Sequence, residues 1–242
     1  MVCLALTVKE NSAMICPECQ SSNLKKNGHK RGKQNYLCKS CGRQFIDSYS
    51  PLGYPESVKK YCLHLYLEGN GFRRIERLTG VSHNTVINWV KLAGLSLPQQ
   101  PDYDEIPEVA QIDELQTFVG NKKNKIWLWT AVNKGSAGIL AWTIGDRSAE
   151  TFKPLWKIIK GWKCFFYATD GYVVYPQFID EADHIVSKTY MTRVEGENTR
   201  LRHYLSRLHR KTLCYSQSLL MLTISIRLVI YYLKHKTVPI TS

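Results

Sequence analysis

Long apolar runs are absent from this chain of 242 residues, which argues against a secreted or membrane-spanning protein. The opening MVCLALTV is too short for the apolar core of a secretory signal, and polar and acidic residues follow it. The late run SLLMLTISIRLVIYYL has about 16 residues, which is short for a bilayer span, and it contains Arg227. We therefore expect a buried helix there, in a cytoplasmic protein with no membrane partner. We take Met14 as the natural start, with residues 1–13 as an upstream extension.

Acidic residues are also scarce, with 20 Asp and Glu against 33 Lys and Arg, so that the formal net charge is +13. Residues 1–100 carry 14 basic and 6 acidic side chains, residues 101–190 carry 10 and 12, and residues 191–242 carry 9 and 2. Such a basic balance favours a polyanionic partner, either nucleic acid or an anionic surface. An acidic centre between basic flanks is typical of an enzyme that holds an anion and keeps carboxylates for metal.

Cysteine is not scarce, and four of the eight cysteines form two CxxC pairs, CPEC and CKSC. The four are Cys16, Cys19, Cys38 and Cys41. Two CxxC turns can close a tetrahedral site around structural Zn²⁺, so the spacing predicts a zinc ribbon over residues 14–46. A redox or disulfide pair is the alternative. Basic residues between the pairs favour a nucleic acid partner: Lys25, Lys26, Lys30, Arg31 and Lys33. The other cysteines carry no such pattern.

Residues 55–97 have the pattern of a helix-turn-helix module. Pro55 opens one helical period, and two shorter ones follow on either side of a turn that contains Gly80. Ser82 stands where the N-cap of the last helix is expected. That helix would present polar side chains able to contact base edges: His83, Asn84, Thr85 and Asn88. The alternative is a plain helical hairpin. Residues 98–108, rich in proline, are expected to be a linker.

Residues 109–242 show the element order of an RNase H-like α/β domain. Three alternating strand patterns are separated by GNKKNK and by a Lys-Gly break, and a helix with Ser148 as N-cap follows them. A strand that ends at Asp170, a short helix, a further strand and a basic helix complete the order. The predicted fold class is therefore α/β, with an RNase H-like catalytic domain preceded by a zinc ribbon and a helix-turn-helix module.

Two aspartates in this domain are candidate metal ligands. Asp113 lies within the first strand among apolar residues, where a carboxylate is costly unless it is paired or bound to metal. Asp170 ends the fourth strand, which neighbours the first in this topology, so the carboxylates would lie about 4–6 Å apart. Two such carboxylates attract a divalent cation. The alternative is that both are ordinary cap and turn residues. Glu114 faces the opposite side of the strand and is secondary.

A third carboxylate would come from the basic helix, which offers Glu195 and Glu197. The apolar stripe of this helix is formed by Val194, Leu201, Leu205 and Leu208. At 3.6 residues per turn, Glu197 falls within the stripe, whereas Glu195 lies at its polar edge, roughly 120° from Leu201. This favours Glu195 as the metal ligand and leaves Glu197 as the alternative.

The chain resembles the IS1 insertion-sequence transposases over nearly all of residues 14–235. The motifs are CPEC…CKSCGRQF, GVSHNTVINWVK, IDEL with a Trp-rich second strand, TDGY, and RVEGENTRLRHYLSRLHRKTLCYSQS. The family pattern of Arg, Val or Ile, Glu, and Asn three residues later falls on Arg193, Val194, Glu195 and Asn198. It therefore also selects Glu195 as catalytic. Many members carry His where Glu197 stands, so this sequence departs from the family there.

The resemblance implies a DDE enzyme in which Asp113, Asp170 and Glu195 hold two Mg²⁺ ions, or Mn²⁺. Such an enzyme would bind the terminal inverted repeats of an insertion sequence, cleave the DNA with water, and join the freed 3′-hydroxyl to target DNA. A homo-oligomeric synaptic complex in the cytoplasm, at the nucleoid, is implied. Expected DNA contacts are Arg193, Asn198, Arg200, Arg202, Arg207, Arg210 and Lys211, besides those above. The alternatives are a DNA-binding regulator with an inactive domain, and an RNase H-like nuclease without strand transfer.

Overall fold

A computed structural model describes residues 14–30, 32–46, 53–103, 105–209 and 214–239. The chain divides into two compact units, of which the first ends at Tyr54 and the second begins at Pro55.

The described part of the first unit is a small sheet with four cysteines, called here the cysteine unit (residues 14–46). Its strands are antiparallel in the order β1-β2-β3: β1 Leu24–Lys30, β2 Lys33–Cys38 and β3 Gln44–Ile46. The buried apolar residues are only Cys16, Cys38 and Phe45, with Tyr36 stacked on Phe45 at 5.8 Å between ring centroids. So small a core offers little hydrophobic stabilisation, and protein units of this size are commonly stabilised by a bound metal ion.

The second unit is built on a mixed five-stranded sheet in the order β6-β5-β4-β7-β8. The strands are β4 Val109–Val119, β5 Asn121–Asn133, β6 Ile139–Gly145, β7 Phe166–Thr169 and β8 His184–Val186. The first three form an antiparallel meander, whereas β7 runs parallel to β4 and β8 parallel to β7. This mixed α/β architecture confirms the predicted class and is consistent with an RNase H-like domain.

The first hairpin turns at Gly120, within the segment GNKKNK that was predicted as a turn. β5 begins directly after it at Asn121, but Val119 pairs with Asn121 and Phe118 with Lys125, so residues 122–124 have no partner on β4. Gly120 has a φ of +75°, a left-handed conformation that glycine adopts without a steric penalty. The Asn121 side chain accepts hydrogen bonds from the Lys123 and Asn124 amides, so that Lys122 and Lys123 lie in an exposed bulge of the strand.

Helices cover both faces of the sheet. On one face, α4 (Ala149–Gly161) starts at Ser148, whose hydroxyl accepts a hydrogen bond from the Thr151 amide, as predicted for an N-cap. Its apolar side packs Phe152 against Trp129 and Tyr175. On the other face lie α5 (Thr192–Tyr204) and α6 (Leu219–His235). α6 is the predicted buried helix, and no helix within the described residues is long and apolar enough to cross a membrane.

Residues 55–97, called here the helical module, form α1 (Glu56–Leu67), α2 (Phe72–Thr79) and α3 (His83–Leu95). α2 ends at Gly80 in a left-handed conformation, and α3 follows after a short turn, as the pattern predicted. Ser82 precedes α3, but in the structure its side chain makes no capping hydrogen bond.

The helical module shares one core with the sheet, although the sequence suggested separate modules joined by a linker. Its buried residues belong to the same apolar cluster as those of β4, β5, α5 and α6. The hydroxyl group of Tyr66 on α1 is hydrogen-bonded to that of Ser225 on α6, with 2.6 Å between the two oxygen atoms. Within the expected linker, the Gln100 side chain bonds both backbone groups of Trp142, at 2.8 and 3.0 Å. Gln100 is therefore docked on β6, the edge strand of the sheet.

The packing of α3 on α6 makes a stability prediction. A methyl group at Gly94 would lie 2.9 Å from the Ile224 carbonyl oxygen and would overlap its side chain, whereas one at Gly196 in α5 would meet open space. Gly94→Ala should therefore lower the free energy of unfolding by about 1–3 kcal/mol. The matched control Gly196→Ala should raise it by about 0.5–1 kcal/mol through helix propensity. Urea unfolding of the full chain measures both, and equal stabilisation would contradict the docking of α3 on α6.

Candidate active site

The sheet brings Asp113 and Asp170 together. β4 and β7 are parallel neighbours with Gln111 opposite Ala168, so that two further residues along each chain place the aspartates side by side. Among the described residues, one acidic group, formed by Asp113, Glu114 and Asp170, offers one carboxylate oxygen from each residue within 4.8 Å of the other two. The separation agrees with the distance expected from strand spacing. Like charges this close attract a divalent cation.

Asp113 is the half-buried member of the pair. Burial raises the pKa of its carboxyl group to about 6, and the charges of Glu114 and Asp170 act in the same direction. A hydrogen bond from the Asn198 side-chain amide to Oδ2, at 2.9 Å, opposes that rise. Ionisation of Asp113 therefore costs free energy when no cation is bound. The hydrogen bond from Asn198 holds the carboxyl group in one orientation.

Asp170 lies in an exposed turn directly after β7. Its Oδ1 accepts a hydrogen bond from the Tyr172 backbone amide at 2.9 Å, and the Gly171 amide bonds the Thr169 hydroxyl at 3.1 Å. Gly171 has a φ of +82°, and a Cβ there would lie 2.6 Å from a methyl carbon of Val186. The TDG sequence is thus a turn that also aims a carboxylate, so the two interpretations weighed for Asp170 are compatible.

α5 presents its two glutamates to different parts of the sheet. Glu197 is buried, accepts a hydrogen bond from the Gly138 amide at 3.1 Å and pairs with Arg200 at 2.9 Å. Gly138 stands in the connection before β6, on the far side of β4 from Asp170. The helical wheel placed Glu197 within the apolar stripe, and the structure agrees. Its carboxylate is directed away from the aspartate pair.

Glu195 lies on the other flank of α5. Asn198, three residues on and about 60° away around the helix, contacts Asp113 directly. The flank beyond Asn198 is therefore the one nearer β7, and Glu195 is exposed there. Its carboxylate is not part of the close acidic group. From the helix geometry, Glu195 therefore lies on the flank of α5 nearer the aspartates, outside the close acidic group.

Asn198 requires a correction, because it was expected among the DNA contacts. It is 5% exposed, and its amide oxygen accepts a hydrogen bond from the Thr130 hydroxyl at 2.9 Å while its amide nitrogen donates to Asp113. Both polar atoms are thus used within the protein. Asn198 orients Asp113, and the sequence signal for it was its spacing three residues after Glu195.

Glu114 and its partners were largely missed by the sequence reasoning. Glu114 does face the side of β4 opposite Asp113, as expected, and it is almost fully buried. Its carboxylate is paired with Arg147 and accepts a hydrogen bond from the Tyr175 hydroxyl at 2.6 Å. Burial raises the pKa of Tyr175 well above its ordinary value, with Glu114 adding to the effect. An acid in an apolar strand was the only available signal.

The expected DNA-binding residues divide by exposure. Lys30, Asn84 and Asn88 are exposed, whereas Thr85, Arg193 and Arg202 are half-buried. His83 pairs with Glu76 at 2.9 Å, and Arg200 pairs with Glu197. Arg31, Arg210 and Lys211 lie outside the described residues.

Arg207 differs from the expectation of a phosphate contact. Its guanidinium donates to the Tyr66 hydroxyl at 3.0 Å and to the Ser216 hydroxyl at 3.1 Å, and it lies 4.9 Å from the centroid of the Phe72 ring. These contacts join the helical module to Arg207, which follows α5, and to Ser216, which precedes α6. Arg207 therefore has a structural role within the second unit, since its guanidinium bonds two protein hydroxyl groups.

The four CxxC cysteines meet at one point of the cysteine unit. Their sulfur atoms all lie within 4.8 Å of one another, with Cys16 to Cys41 at 3.6 Å and Cys19 to Cys38 at 3.5 Å. Disulfide sulfurs are about 2 Å apart, so these are thiols. In a tetrahedral Zn²⁺ site with Zn–S bonds of about 2.3 Å, the sulfurs are about 3.8 Å apart. A hydrogen bond from the Cys41 amide lowers the pKa of Cys38 to about 6, whereas the pKa of Cys41 itself is raised, so that Cys38 loses its proton before Cys41 does.

The sheet order and the paired aspartates are consistent with an RNase H-like domain of the DDE type. Residues 108–237 match the family model described as IS1 transposase. The chain belongs to this family. The match begins one residue before β4 and covers the sheet, α4, α5 and α6.

Curated relatives carry the same family name. The iso-IS1n protein InsB of Shigella dysenteriae is 34% identical over 110 residues, which are 46% of this chain and 84% of that protein. The IS1 protein InsB of Shigella flexneri is 32% identical over 109 residues, 45% and 83% of the two chains. The IS1 2 protein InsB of Escherichia coli K12 is 33% identical over 119 residues, 49% and 71%.

The raised pKa of Asp113 predicts a gain in stability when its charge is removed. Because folding raises this pKa from 3.8 to about 6, the protein without divalent cations should lose stability as the pH rises through that range. Asp113→Asn should therefore be more stable than the wild type at pH 7.5 by about 1–2 kcal/mol, after allowance for solvent screening. Urea unfolding in magnesium-free buffer measures this. The difference in the free energy of unfolding between Asp113→Asn and the wild type should be smaller at pH 4.5. An equal or larger difference at that pH would contradict the raised pKa of Asp113.

Proposed function

We propose that this protein is a transposase that cleaves DNA at the terminal inverted repeats of an insertion sequence and transfers the freed strand to target DNA. The observation that supports it most is the approach of Asp113 and Asp170 to within 4.8 Å, in a domain of the IS1 transposase family. The protein would act on cellular DNA, in the cytoplasm at the nucleoid.

Asp113, Asp170 and Glu195 would hold two Mg²⁺ or Mn²⁺ ions. The residues fit hard cations, because all three offer carboxylate oxygens and because two of these carboxylates crowd each other at a cost that a cation offsets. When bound, such ions activate the attacking oxygen and stabilise the leaving oxygen of a phosphodiester. Glu195 would complete the site from the exposed flank of α5.

The protein residues would orient this chemistry from both sides. Asn198 bonds Oδ2 of Asp113, and the Tyr172 amide bonds Oδ1 of Asp170, so each carboxylate is oriented through one of its oxygens. Since Asp170 and Glu195 are exposed, a DNA backbone can approach from that side. The excess of basic residues in the flanking regions would contact phosphates, and binding should weaken steeply with salt.

The two N-terminal modules would select the DNA ends. In α3, Asn84 and Asn88 are exposed and four residues apart, so they share one face of the helix. Asparagine can bond adenine in a bidentate manner, which suits a recognition helix in the major groove. The cysteine unit would be a zinc ribbon whose exposed Lys25, Lys26 and Lys30 add phosphate contacts. Pairing two ends would require a homo-oligomer.

The transposition assay uses supercoiled donor DNA that carries the element's own ends, with Mg²⁺. Wild-type protein should nick the ends and join them to target DNA. Asp170→Asn should reduce both products by at least about 10³-fold, because it removes one of the charges that hold the cations. Asp180→Asn, an exposed acid outside the site, is the matched control and should retain activity. Specific end binding without cleavage by the wild type would indicate a regulator, and cleavage without joining would indicate a nuclease.

The same assay distinguishes the two glutamates of α5. Glu195→Gln should lose cleavage and joining with little change in stability, since its side chain is exposed. Glu197→Gln should lower thermal stability, since it weakens a buried pair with Arg200, and should retain cleavage once folded. The reverse pattern would assign Glu197 as the third ligand.

Zinc in the cysteine unit is tested by elemental analysis of the purified chain. One Zn²⁺ per chain is expected, and Cys38→Ser should lose it, since three thiolates hold zinc less tightly than four. Cys62→Ser replaces a buried thiol in the helical module and should keep the metal. Folded wild-type protein without zinc would overturn the ribbon assignment.

A further inference from the structure

Glu114 is the third member of the close acidic group, yet its oxygens are already engaged. Oε1 accepts hydrogen bonds from Nε of Arg147, at 2.9 Å, and from its Nη2, while Oε2 accepts from the Tyr175 hydroxyl at 2.6 Å. A carboxylate bonded in this way is a poor ligand for a cation. Glu114 therefore lies beside the candidate metal site for another reason.

Arg147 is held as firmly as its partner. Its guanidinium carbon lies 4.4 Å from the centroid of the Trp127 ring and 3.7 Å from that of the Tyr172 ring. Trp127 belongs to β5, whereas Tyr172 follows Asp170 in the turn after β7. A planar cation between two aromatic faces, with an ion pair at its edge, has a fixed orientation.

These contacts connect the two aspartates by a second path. The Tyr172 amide bonds Asp170, and the Tyr172 hydroxyl donates to the Arg147 carbonyl oxygen at 3.0 Å. Arg147 in turn holds Glu114, which is the chain neighbour of Asp113. The path therefore runs from the turn that carries Asp170, through one arginine, to the strand that carries Asp113.

The second path matters because the pairing between β4 and β7 does not reach the aspartates, although Asp113 is paired with Thr130 of β5. The last paired residues of β4 and β7 are Gln111 and Ala168, so Asp113 and Asp170 both lie beyond the ladder. The turn after β7 is held to β8 at Thr169, but β8 does not pair with β4, so this pairing does not set the distance between the two aspartates. The contacts of Arg147 restrain that distance from the face opposite α5.

We propose that Arg147 and Glu114 are positioning residues that set the separation of Asp113 and Asp170 for a divalent cation. This inference rests on the proposed function of the same site. Arg147 also neutralises Glu114, so that the cation meets the charge of the aspartates. Residues that support metal ligands in this way commonly change affinity 10- to 100-fold when altered.

Mn²⁺ binding to the full, zinc-loaded chain tests the proposal, with free Mn²⁺ measured by electron paramagnetic resonance. Arg147→Lys keeps the charge but loses the planar stack and the two-donor contact, so Mn²⁺ should bind about tenfold more weakly. Arg227→Lys is the matched control, because this half-buried arginine bonds the Gly94 and Leu97 carbonyl oxygens, away from the carboxylates. The Arg227→Lys variant should bind Mn²⁺ with the affinity of the wild type.

Arg147→Gln separates positioning from simple charge effects. Removing a positive charge near the site should strengthen cation binding if Coulomb forces alone operate, whereas loss of positioning should weaken it. If the Arg147 variants do not fold, as judged by circular dichroism, Tyr172→Leu decides, since it removes the ring and hydroxyl without a change of charge. It should also bind Mn²⁺ about tenfold more weakly.

The outcomes separate this inference from the proposed function. Wild-type affinity in Arg147→Lys, or tighter binding in Arg147→Gln, would overturn the positioning role and leave the metal site intact. Wild-type affinity in Tyr172→Leu would overturn it in the same way. Absence of Mn²⁺ binding by the wild type, or unchanged binding in Asp170→Asn, would overturn the metal site and with it this inference.

Discussion

Repulsion between two like charges is the constraint around which the second unit is arranged. Asp113 and Asp170 lie within 4.8 Å, one of them half-buried, and burial raises the pKa of Asp113 to about 6. Such a pair is stable only when other groups resist its separation. Parallel pairing of β4 with β7 brings the aspartates close, but it ends two residues short of them. The remaining restraint comes from side chains on both faces of the sheet.

The two faces contribute different kinds of restraint. On the α5 face, the buried side-chain amide of Asn198 is hydrogen-bonded through its oxygen to Thr130 and through its nitrogen to Asp113. It therefore fixes the orientation of the Asp113 carboxylate. On the α4 face, the ion pair of Glu114 and Arg147 connects the strand to the turn that follows β7. Glu195 is exposed on the flank of α5, and in the proposed function a cation and a DNA backbone would enter there. Rigid support and an accessible site are thus provided by separate groups.

The rest of the chain differs in how it obtains stability. The helical module has no core of its own, because its buried residues join the cluster of the sheet, α5 and α6. Its orientation relative to the aspartates is therefore determined by packing. The cysteine unit buries only three apolar residues, and its four sulfurs lie at the spacing of a tetrahedral metal site. The stability of the cysteine unit would therefore depend on a bound metal ion, whereas that of the helical module depends on apolar contacts.

Local patterns in the sequence were sufficient for the mixed α/β class, the CxxC cluster, the cap of α4 at Ser148, and the meeting of the aspartates. These features depend on neighbouring residues or on a strand order that the sequence periodicity indicates. Only the tertiary structure decided that the helical module shares the main core. It also assigned Asn198 to Asp113, across 85 positions, and Arg147 to Glu114, across 33. Contacts between side chains so far apart depend on packing geometry, which no local spacing encodes.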